Sequence, residues 1–331
     1  MTLRPVKLSG LATHVPPKLL TNFDLEKMVD TSDEWILQRT GIRERHIVEA
    51  GVATSDLAVP ASLGAIQEAG LTPNDIGFIV VGTTTPDTIF PSTACVLQSK
   101  IGATRAWGFD LGAACSGFTY ALTVGWQLVA TGAVEHALVV GADVMSSIID
   151  YTDRATCVLF GDGAGAVVLS PAQPGEGAFI DFWNEIDGTG GPALCMPAGG
   201  SRLPASHETV EQRLHYVKQD GQAVFKFAVK KSEDLTERLL ARNGLTGHDI
   251  DLFVSHQANR RIIEATAHRL GLSPEKVVIN LERYGNTTAG TIPLALADAR
   301  AAGRLQPGML VLLASVGAGF TAGALLVRWS L

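Results

Sequence analysis

The chain has 331 residues, 46% of them hydrophobic and 18% charged, so it can bury one large core or two medium ones and is too apolar to be disordered. Its 26 basic and 33 acidic residues give a formal net charge of −7, which argues against nucleic acid as the main partner. Its four cysteines show no C-x-x-C spacing, so no metal site or redox pair is predicted, and Cys95, Cys157 and Cys195 are interpreted as structural.

In the first half of the chain, helix-like and strand-like stretches alternate. A helical pattern over residues 55–69 leads through a turn into a β-like run at 78–81, and apolar runs at 107–111 and 137–141 indicate further strands. Strands that alternate with helices predict βα units and sheets buried on both faces.

A glycine-rich segment at 161–166 could be mistaken for a nucleotide-binding loop. The residues that follow it, 167–169, are apolar and strand-like, whereas a phosphate-binding loop would open a helix. We therefore interpret the segment as structural. The stretch 171–177, with two prolines and two glycines, is the predicted linker to the second half.

The second half repeats the first. Gly70, in the tripeptide Gly-Leu-Thr, recurs as Gly244 in the same tripeptide, 174 positions later, and an Asp-Ile pair follows at the same distance in both copies. This repeat predicts a duplicated α/β architecture with halves at 1–172 and 173–331. The predicted elements around the second copy are a helix at 224–243, a strand at 252–255, a helix at 260–270 and a strand at 309–314.

The segment 309–327 carries no charge and is nearly long enough to span a bilayer. Three glycines, Gly317, Gly319 and Gly323, interrupt it. We therefore expect two buried strands joined by a glycine turn, and no membrane partner.

Cys115 stands among small residues where the run at 107–111 gives way to a helical pattern. Small neighbours let a substrate approach the sulfur, and a helix beginning at the cysteine would turn its positive dipole end toward a thiolate. A lone cysteine in an apolar segment is often a small core residue, so both interpretations stay open on this residue alone.

His256 and Asn286 are candidates in the second half. His256 follows the predicted strand 252–255, and ligands of α/β sheets gather at the carboxyl ends of strands. A histidine there is often only a satisfied polar residue, and Asn286 could be only a helix N-cap. Because two related halves place equivalent elements at equivalent positions in the fold, the duplication can bring His256 and Asn286 close to Cys115.

The motifs together resemble the β-ketoacyl-acyl-carrier-protein synthase III family, the condensing enzymes that start bacterial fatty acid synthesis. The resemblance covers essentially the whole chain. It rests on the segments TSDEWI at 31–36, RTGIRER at 39–45, ACSG at 114–117, FGDGAGA at 160–166, VFK at 224–226, HQAN at 256–259, YGNT at 284–287 and GAGFT at 317–321. It implies a thiolase-like α/β fold, with duplicated βαβαβαββ halves in an αβαβα layered arrangement.

The resemblance also implies the chemistry. Cys115 would take an acyl group from a short acyl-coenzyme A, with acetyl-coenzyme A the expected primer, and His256 and Asn286 would stabilise the charge formed when malonyl-acyl-carrier protein is decarboxylated. The backbone N–H groups of Cys115 and Ala318 would form the oxyanion hole. Coenzyme A enters as part of the substrate thioester, and no cofactor is expected.

Two binding surfaces follow from the same residue-by-residue match. Residues implied to line the coenzyme A tunnel are Thr31, Trp35, Arg39, Arg154, Gly221 and Asn259. Residues implied to bind the acidic carrier protein are Lys226, Gln257, Ala258, Asn259, Arg260 and Arg261, whose cations would steer the encounter.

Phe90 matches the family position at which one subunit closes the acyl pocket of its partner, which implies a homodimer and a short primer. Two positions depart from the family: Val316 stands where phenylalanine is usual beside the cysteine, and Ala322 where tryptophan is common. Both changes remove aromatic volume, so the primer preference is left open.

Two other functions remain as alternatives. One is a related Cys-His-Asn ketosynthase or acyltransferase of specialised polyketide metabolism, and the other, of a different class, is a non-catalytic module that binds acyl-coenzyme A or carrier protein. With no secretory segment and no need for disulfides, a cytoplasmic location is expected.

Overall fold

The computed structural model describes residues 3–331. The elements of the first half are β1 (Val6–His14), β2 (Lys18–Thr21), α1 (Asn22–Leu25), α2 (Asp33–Thr40), β3 (Glu44–Ile47), α3 (Thr54–Glu68), β4 (Phe78–Gly82), α4 (Thr93–Ile101), β5 (Trp107–Leu111), α5 (Gly117–Ala130), β6 (Ala137–Asp143), α6 (Arg154–Cys157) and β7 (Gly163–Pro171). Five of these strands form a sheet of order β1-β7-β6-β4-β5. In it β5, β4 and β6 are parallel, and β7 is antiparallel to both β6 and β1.

The elements of the second half are β8 (Phe179–Ile186), β9 (Leu194–Cys195), α7 (His207–Glu211), β10 (Lys218–Gln219), α8 (Gly221–Arg242), β11 (Leu252–Ser255), α9 (Arg260–Arg269), α10 (Leu281–Tyr284), α11 (Thr291–Ala301), β12 (Leu310–Gly317) and β13 (Thr321–Arg328). Its main sheet has the order β11-β12-β13-β8, with β11 and β12 parallel. Taken from β8 to β11, this order corresponds to β1-β7-β6-β4 of the first sheet. At the position of β5, the second sheet has a single parallel bridge between Phe253 of β11 and Val277.

The offset of 174 positions continues through the backbone. Val81 of β4 pairs with Val140 of β6, and the residues 174 positions later, Ser255 and Ala314, pair in the same way in the second sheet. The repeat found in the sequence therefore extends to the way in which equivalent strands pair in the two sheets. The first sheet ends at Pro171 and the second begins at Phe179, so the predicted division at 172/173 falls between the two sheets.

The helices and sheets stack in five layers. Helices α3 and α4 cover the outer face of the first sheet, and α8 packs on the outer face of the second, with α9 beside it. Helix α5, almost wholly apolar, contacts strands of both sheets and with α11 forms the middle layer. The largest core joins these two helices to the inner faces of both sheets, as a layered fold of this kind requires. The predicted αβαβα arrangement is confirmed.

Two sequence-based boundaries are wrong. Helix α5 begins at Gly117 and not at Cys115, which lies in a short 3-10 turn, Ala114–Ser116. Helix α8 begins three residues earlier than predicted, at Gly221, because the Asp220 carboxylate caps it by accepting from the backbone N–H groups of Gln222 and Ala223.

The uncharged segment 309–327 forms the antiparallel strands β12 and β13, joined by a short turn at 318–320. The glycine turn predicted from the sequence is therefore confirmed. Within residues 3–331, no helix combines the length and apolar composition that crossing a bilayer requires.

Candidate active site

Cys115 lies between the end of β5 and the start of α5. The residue before it, Ala114, has a φ of 46°, a left-handed conformation that residues with a side chain rarely adopt. At this junction Gly117 lies against Gly82 of β4, where an added Cβ on Gly82 would come within 2.7 Å of the Gly117 carbonyl carbon. This close backbone contact fixes the position of Cys115, whose side chain is buried.

The Cys115 thiol is neutral in the free protein. Burial raises the pKa of the thiol to about 12, and the negative charge of Asp143 adds to this rise. Hydrogen bonds from its own backbone N–H and from the Asn286 side chain lower the pKa but do not reverse the shift. The expectation of a thiolate held by a helix that starts at the cysteine is therefore corrected: the helix starts at Gly117, and burial dominates.

His256 follows β11 directly, and its backbone N–H donates to the Ala314 carbonyl at 2.8 Å. Its Nδ1 lies 2.7 Å from the hydroxyl oxygen of Thr291 at the start of α11. Burial lowers the pKa of the imidazole to about 3, so the ring is neutral at physiological pH.

Asn286 is held by its backbone. Its N–H donates to the Leu159 carbonyl at 2.9 Å, and its carbonyl accepts from the Gly161 N–H at 3.1 Å. The side-chain oxygen accepts from the Thr288 N–H at 2.9 Å, while the side chain also hydrogen-bonds to Cys115. The N-cap of α11 is Gly290, so the alternative interpretation of Asn286 as the cap of that helix is wrong.

One cavity brings the three residues together. Cys115, His256 and Asn286 all line it, and Val316 of β12 lies beside them. A nucleophilic sulfur, a neutral imidazole and a carboxamide thus face the same space, an arrangement suited to acyl transfer through sulfur with hydrogen-bond donors for a developing oxyanion.

The turn after β12 approaches the nucleophile from the second half. A Cβ on Gly317 would lie 2.8 Å from the backbone nitrogen of Cys115 and 2.9 Å from that of Ser116, so the two backbones are in direct contact. The Thr321 hydroxyl donates to the Ala113 carbonyl at 2.8 Å and ties the turn to the same segment. Ala318 lines a second cavity that also reaches Cys115.

That second cavity shares Cys115, Phe160 and Leu194 with the first. Its remaining lining is mostly apolar and includes Met145, Ile148, Met196 and Val217, together with Thr84 and Cys195. The cysteine at 195, interpreted from sequence as structural, therefore borders this space.

Asp143 is a residue of the site that the sequence reasoning missed. Its fully buried carboxylate accepts at one oxygen from the backbone N–H groups of Thr84 and Thr85, at 2.7 and 3.1 Å, and at the other from the Thr288 hydroxyl and the Ala289 N–H. It thereby joins a loop of the first half to the turn after Asn286. The available signal was an acidic residue two positions after the predicted apolar strand 137–141.

Most residues predicted to bind coenzyme A lie around Trp35. The guanidinium groups of Arg154 and Arg39 lie 5.0 and 6.0 Å from the centre of the Trp35 ring, and the Asn259 amide donates to the Arg39 carbonyl at 2.9 Å. Asn259 and Gly221 also line the Cys115 cavity, so Asn259 belongs both to the Trp35 cluster and to the cavity wall. The buried Thr31 hydroxyl has no hydrogen-bond partner among the described residues.

The predicted carrier-protein residues divide into two groups. Lys226 and Arg261 are exposed, and Arg261 lies 5.0 Å from the centre of the Phe225 ring at the edge of the cavity. Arg260 is half-exposed and pairs with Glu282 at 3.4 Å, and Ala258 and Asn259 line the cavity.

Gln257 does not belong to that surface. It is 1% exposed, its amide nitrogen donates to the Ser255 and Val278 carbonyls, and its amide oxygen accepts from the Asn280 N–H. The prediction of a carrier-protein contact at Gln257 is corrected: every polar atom of this side chain is used inside the protein to order the loop that carries His256.

Phe90 lies outside the cavity of its own chain. It is 83% exposed and neighbours Ile89, which is 85% exposed. Of the two departures from the family pattern, Val316 lines the Cys115 cavity, whereas Ala322 is buried in the core of the second half.

Comparisons with known proteins agree with this architecture. The family 3-oxoacyl-acyl-carrier-protein synthase III matches residues 109–188, and its C-terminal region matches residues 240–329. The chain is 57% identical over 330 residues to the β-ketoacyl-acyl-carrier-protein synthase III of Koribacter versatilis, covering 99% of both proteins. It resembles the crystal structure of 3-oxoacyl-acyl-carrier-protein synthase III from Pseudomonas aeruginosa PAO1 at 39% identity and a TM-score of 0.91, over 99% of each chain. The priming β-ketosynthase of the R1128 polyketide pathway matches at 34% identity and a TM-score of 0.91, over 99% of this chain and 97% of that one.

Proposed function

This chain belongs to the β-ketoacyl-acyl-carrier-protein synthase III family, and we propose that Cys115, His256 and Asn286 divide the reaction of that family into two half-reactions. It is an acyltransferase with the thiolase-like fold, whose condensation initiates fatty acid synthesis. The observation that carries the proposed roles is the single cavity that all three side chains line.

In the first half-reaction, Cys115 attacks the carbonyl carbon of a short acyl-coenzyme A. The new S–C bond forms as the thiol loses its proton, the bond to coenzyme A breaks, and the proton ends on the coenzyme A thiol. The tetrahedral oxyanion is stabilised by the backbone N–H groups of Cys115 and Ala318. The contact of Gly317 with the Cys115 backbone supports this role, because it holds the turn beside the nucleophile.

In the second half-reaction, the malonyl group on the carrier protein loses carbon dioxide. The electron pair of the breaking C–C bond moves toward the thioester oxygen, where His256 and Asn286 donate hydrogen bonds. A neutral imidazole suits this role, and the burial that lowers the pKa of His256 keeps it neutral. The carbon nucleophile then attacks acyl-Cys115, the C–S bond breaks to release the 3-oxoacyl product on the carrier protein, and the Cys115 sulfur takes up one proton from solvent. Both steps balance without a metal or cofactor.

The two substrates would reach Cys115 from the side of the Trp35 cluster. Trp35 can stack on adenine, with Arg39 and Arg154 near the phosphates. The exposed cations Lys226 and Arg261 would meet the acidic carrier protein, with Arg260, Ala258 and Asn259 nearer the cavity. The unpartnered Thr31 hydroxyl and the cavity position of Gly221 support their inclusion in the coenzyme A site.

A homodimer would cover the exposed edge of the first sheet. Strand β5 is an edge of the first sheet, and its Trp107 and Phe109 side chains are exposed, as are Ile89 and Phe90. An exposed edge strand with aromatic side chains is suited to pairing with a second copy. Phe90 of one subunit would then reach the acyl pocket of the other and favour acetyl-coenzyme A or another short primer. We further propose the cytoplasm as the compartment, since none of the four cysteines forms a disulfide.

Intact-mass analysis tests the nucleophile. Incubation with acetyl-coenzyme A should add one acetyl group to the protein, and Cys115→Ala should abolish the adduct. His256→Ala should retain acetylation while malonyl decarboxylation falls by about a hundredfold, the scale of losing an oxyanion donor. A protein that binds acetyl-coenzyme A without forming an adduct would instead be the binding module considered above.

A role in priming a polyketide is a second candidate, favoured by the 34% identity to a priming β-ketosynthase. Val316 in the cavity adds to this case, because it leaves more room than phenylalanine beside Cys115. A series of acyl-coenzyme A primers of increasing length and branching, assayed with malonyl carrier protein, distinguishes the two. A preference for acetyl supports fatty acid initiation, and a preference for longer or branched primers supports the second candidate.

A further inference from the structure

The Asp143 carboxylate is fully buried at the end of β6, and within residues 3–331 it accepts hydrogen bonds only from uncharged hydroxyl and backbone N–H groups. The donors are Thr83, Thr84 and Thr85 at one oxygen, and Thr288 and Ala289 at the other. A buried carboxylate without a cation is costly unless such donors replace the lost water. Each oxygen therefore holds one segment, the loop 83–85 or the turn 288–289.

Thr288 has the backbone conformation that most needs to be held. Its φ is 49°, in the left-handed region that β-branched residues rarely adopt. Its hydroxyl donates to Asp143, and the N–H of the next residue, Ala289, donates to the same carboxylate oxygen at 3.4 Å. The carboxylate thus holds the turn through a side chain and through the backbone.

The Thr288 turn in turn orients the amide of Asn286. The Thr288 backbone N–H donates to the Asn286 side chain at 2.9 Å. Because an N–H group can only donate, the atom that accepts must be the amide oxygen, and the NH2 group points the other way. On that side the Asn286 side chain hydrogen-bonds to Cys115 and lines the cavity. One hydrogen bond therefore decides which end of the amide faces the reacting groups.

The internal repeat shows that the fold does not require the contact between Asp143 and Thr288. The offset of 174 relates Thr288 to Ala114 and Asp143 to Gly317. Ala114 begins the equivalent 3-10 turn with a φ of 46° and has no hydroxyl, and Gly317 has no side chain. The first half thus forms the same turn without this hydrogen bond. The turn of the second half differs in that it follows Asn286.

We propose that Asp143 is a positioning residue that acts through the Thr288 turn to hold the Asn286 amide with its NH2 group directed into the Cys115 cavity. The inference rests on the proposed role of Asn286 as a donor to the thioester oxygen of the malonyl group. With the amide reversed, its oxygen would face that thioester oxygen, and neither atom could donate.

Two matched substitutions of Thr288 test the connection. Thr288→Ala and Thr288→Ser both lack the methyl group, and they differ only in the hydroxyl that donates to Asp143. Alanine suits this backbone conformation, since Ala114 adopts it in the first half. We expect Thr288→Ala to lower malonyl-thioester decarboxylation about tenfold, the scale of a lost buried hydrogen bond to a charged group, and Thr288→Ser to stay within about threefold of wild type. Acetylation of Cys115 should change less than about threefold in both variants.

Asp143→Asn tests the carboxylate itself. The carboxamide has one oxygen for two groups of donors, and the loop 83–85 supplies most of them, so the NH2 group would face the turn. Decarboxylation should fall at least about tenfold. Acetylation should not slow, because the Asp143 charge raises the pKa of the Cys115 thiol and its removal favours the thiolate. A general loss of structure would instead slow both half-reactions.

A double-mutant cycle with Asn286→Ala tests whether the effect passes through the Asn286 amide. If Thr288 acts by orienting that amide, Thr288→Ala should cost about tenfold in the wild type and less than about twofold once the amide is absent. Thermal unfolding of each variant checks that it is folded.

Three results would overturn the inference: a folded Thr288→Ala that decarboxylates within about twofold of wild type, an equal loss of both half-reactions in that variant, or the same loss with and without the Asn286 amide. If Thr288→Ala does not fold, Asp143→Asn enters the same cycle and the same results decide. Asn286→Ala alone separates this inference from the proposed function. If it decarboxylates normally, the donor role of Asn286 fails, whereas an impaired Asn286→Ala beside a normal Thr288→Ala rejects only the role of Asp143.

Discussion

Substituting Gly317 with alanine perturbs the contact between the glycine turn and the nucleophile. The added Cβ would stand 2.8 Å from the Cys115 backbone nitrogen and 2.9 Å from the Ser116 nitrogen and the Thr321 hydroxyl oxygen, where ordinary contacts are 3.4–4 Å. Two of these three atoms are backbone, so rotation of a side chain cannot relieve the overlap. The Cys115 N–H must move by about half an ångström or more, the gap between these distances.

This displacement would remove the Cys115 N–H from its proposed place as an oxyanion donor. Losing one such donor costs about 3 kcal/mol of transition-state stabilisation, and each 1.4 kcal/mol is roughly a factor of ten in rate. Gly317→Ala should therefore slow Cys115 acetylation about a hundredfold. The affinity for acetyl-coenzyme A should change little, because the residues proposed to bind coenzyme A lie around Trp35 and do not belong to the turn.

Single-turnover acetylation followed by intact mass measures this rate, with thermal unfolding as a check on folding. Gly112→Ala is a matched control from the segment that leads to Cys115, because a Cβ there meets no atom within 4 Å. A folded Gly317→Ala that acetylates within about threefold of wild type would refute the proposed oxyanion role of this backbone contact.

Three further predictions concern substrate binding and stability. Trp35→Ala should raise the KM for acetyl-coenzyme A about tenfold, the scale of one aromatic stacking contact, and leave turnover of a truncated acetyl thioester unchanged; an equal effect on both primers would contradict adenine stacking. Lys226→Glu should raise the KM for malonyl carrier protein severalfold at low salt and much less at high salt, with Lys226→Arg as control; a salt-independent effect would count against electrostatic docking. Hydrogen bonds from Arg213 and Thr152 hold the pKa of Asp150 well below its usual range, so this carboxylate stabilises the fold above pH 4 and loses that contribution as the pH falls. Asp150→Asn should lower Tm by about 2 °C at pH 7, and the difference from wild type should narrow below pH 4; a constant difference would show that the charge is not responsible.

The repeat and the three residues that meet in the cavity could be predicted from the sequence. The 174-position offset is visible in the amino acids, and it holds in the structure because both halves keep the same spacing from strand to helix. The closeness of Cys115, His256 and Asn286 follows from that repeat together with the family motifs. Their roles stay proposals.

Other features could not be predicted, because they depend on contacts between distant segments. The partners of Asp143 lie about 60 positions before it and 145 after it, and no local spacing joins them. Gln257 stands next to His256 in a polar motif that suggested exposure, yet the chain turns inward after β11 and buries its amide. The small residues at 113–117 suit a 3-10 turn as well as an α-helix, so the sequence predicts a start of α5 two residues before the one in the structure.

The state of the Cys115 thiol has a consequence for the chemical durability of the protein. Oxidants and alkylating agents react with thiolates that they can reach, and Cys115 is both buried and neutral at physiological pH. Cys95 is the exposed cysteine among the four, so soluble reagents meet it first. We therefore expect peroxide and soluble alkylating agents to modify Cys95 before Cys115, and we expect an electrophilic inhibitor to react with Cys115 only after it has bound in the cavity.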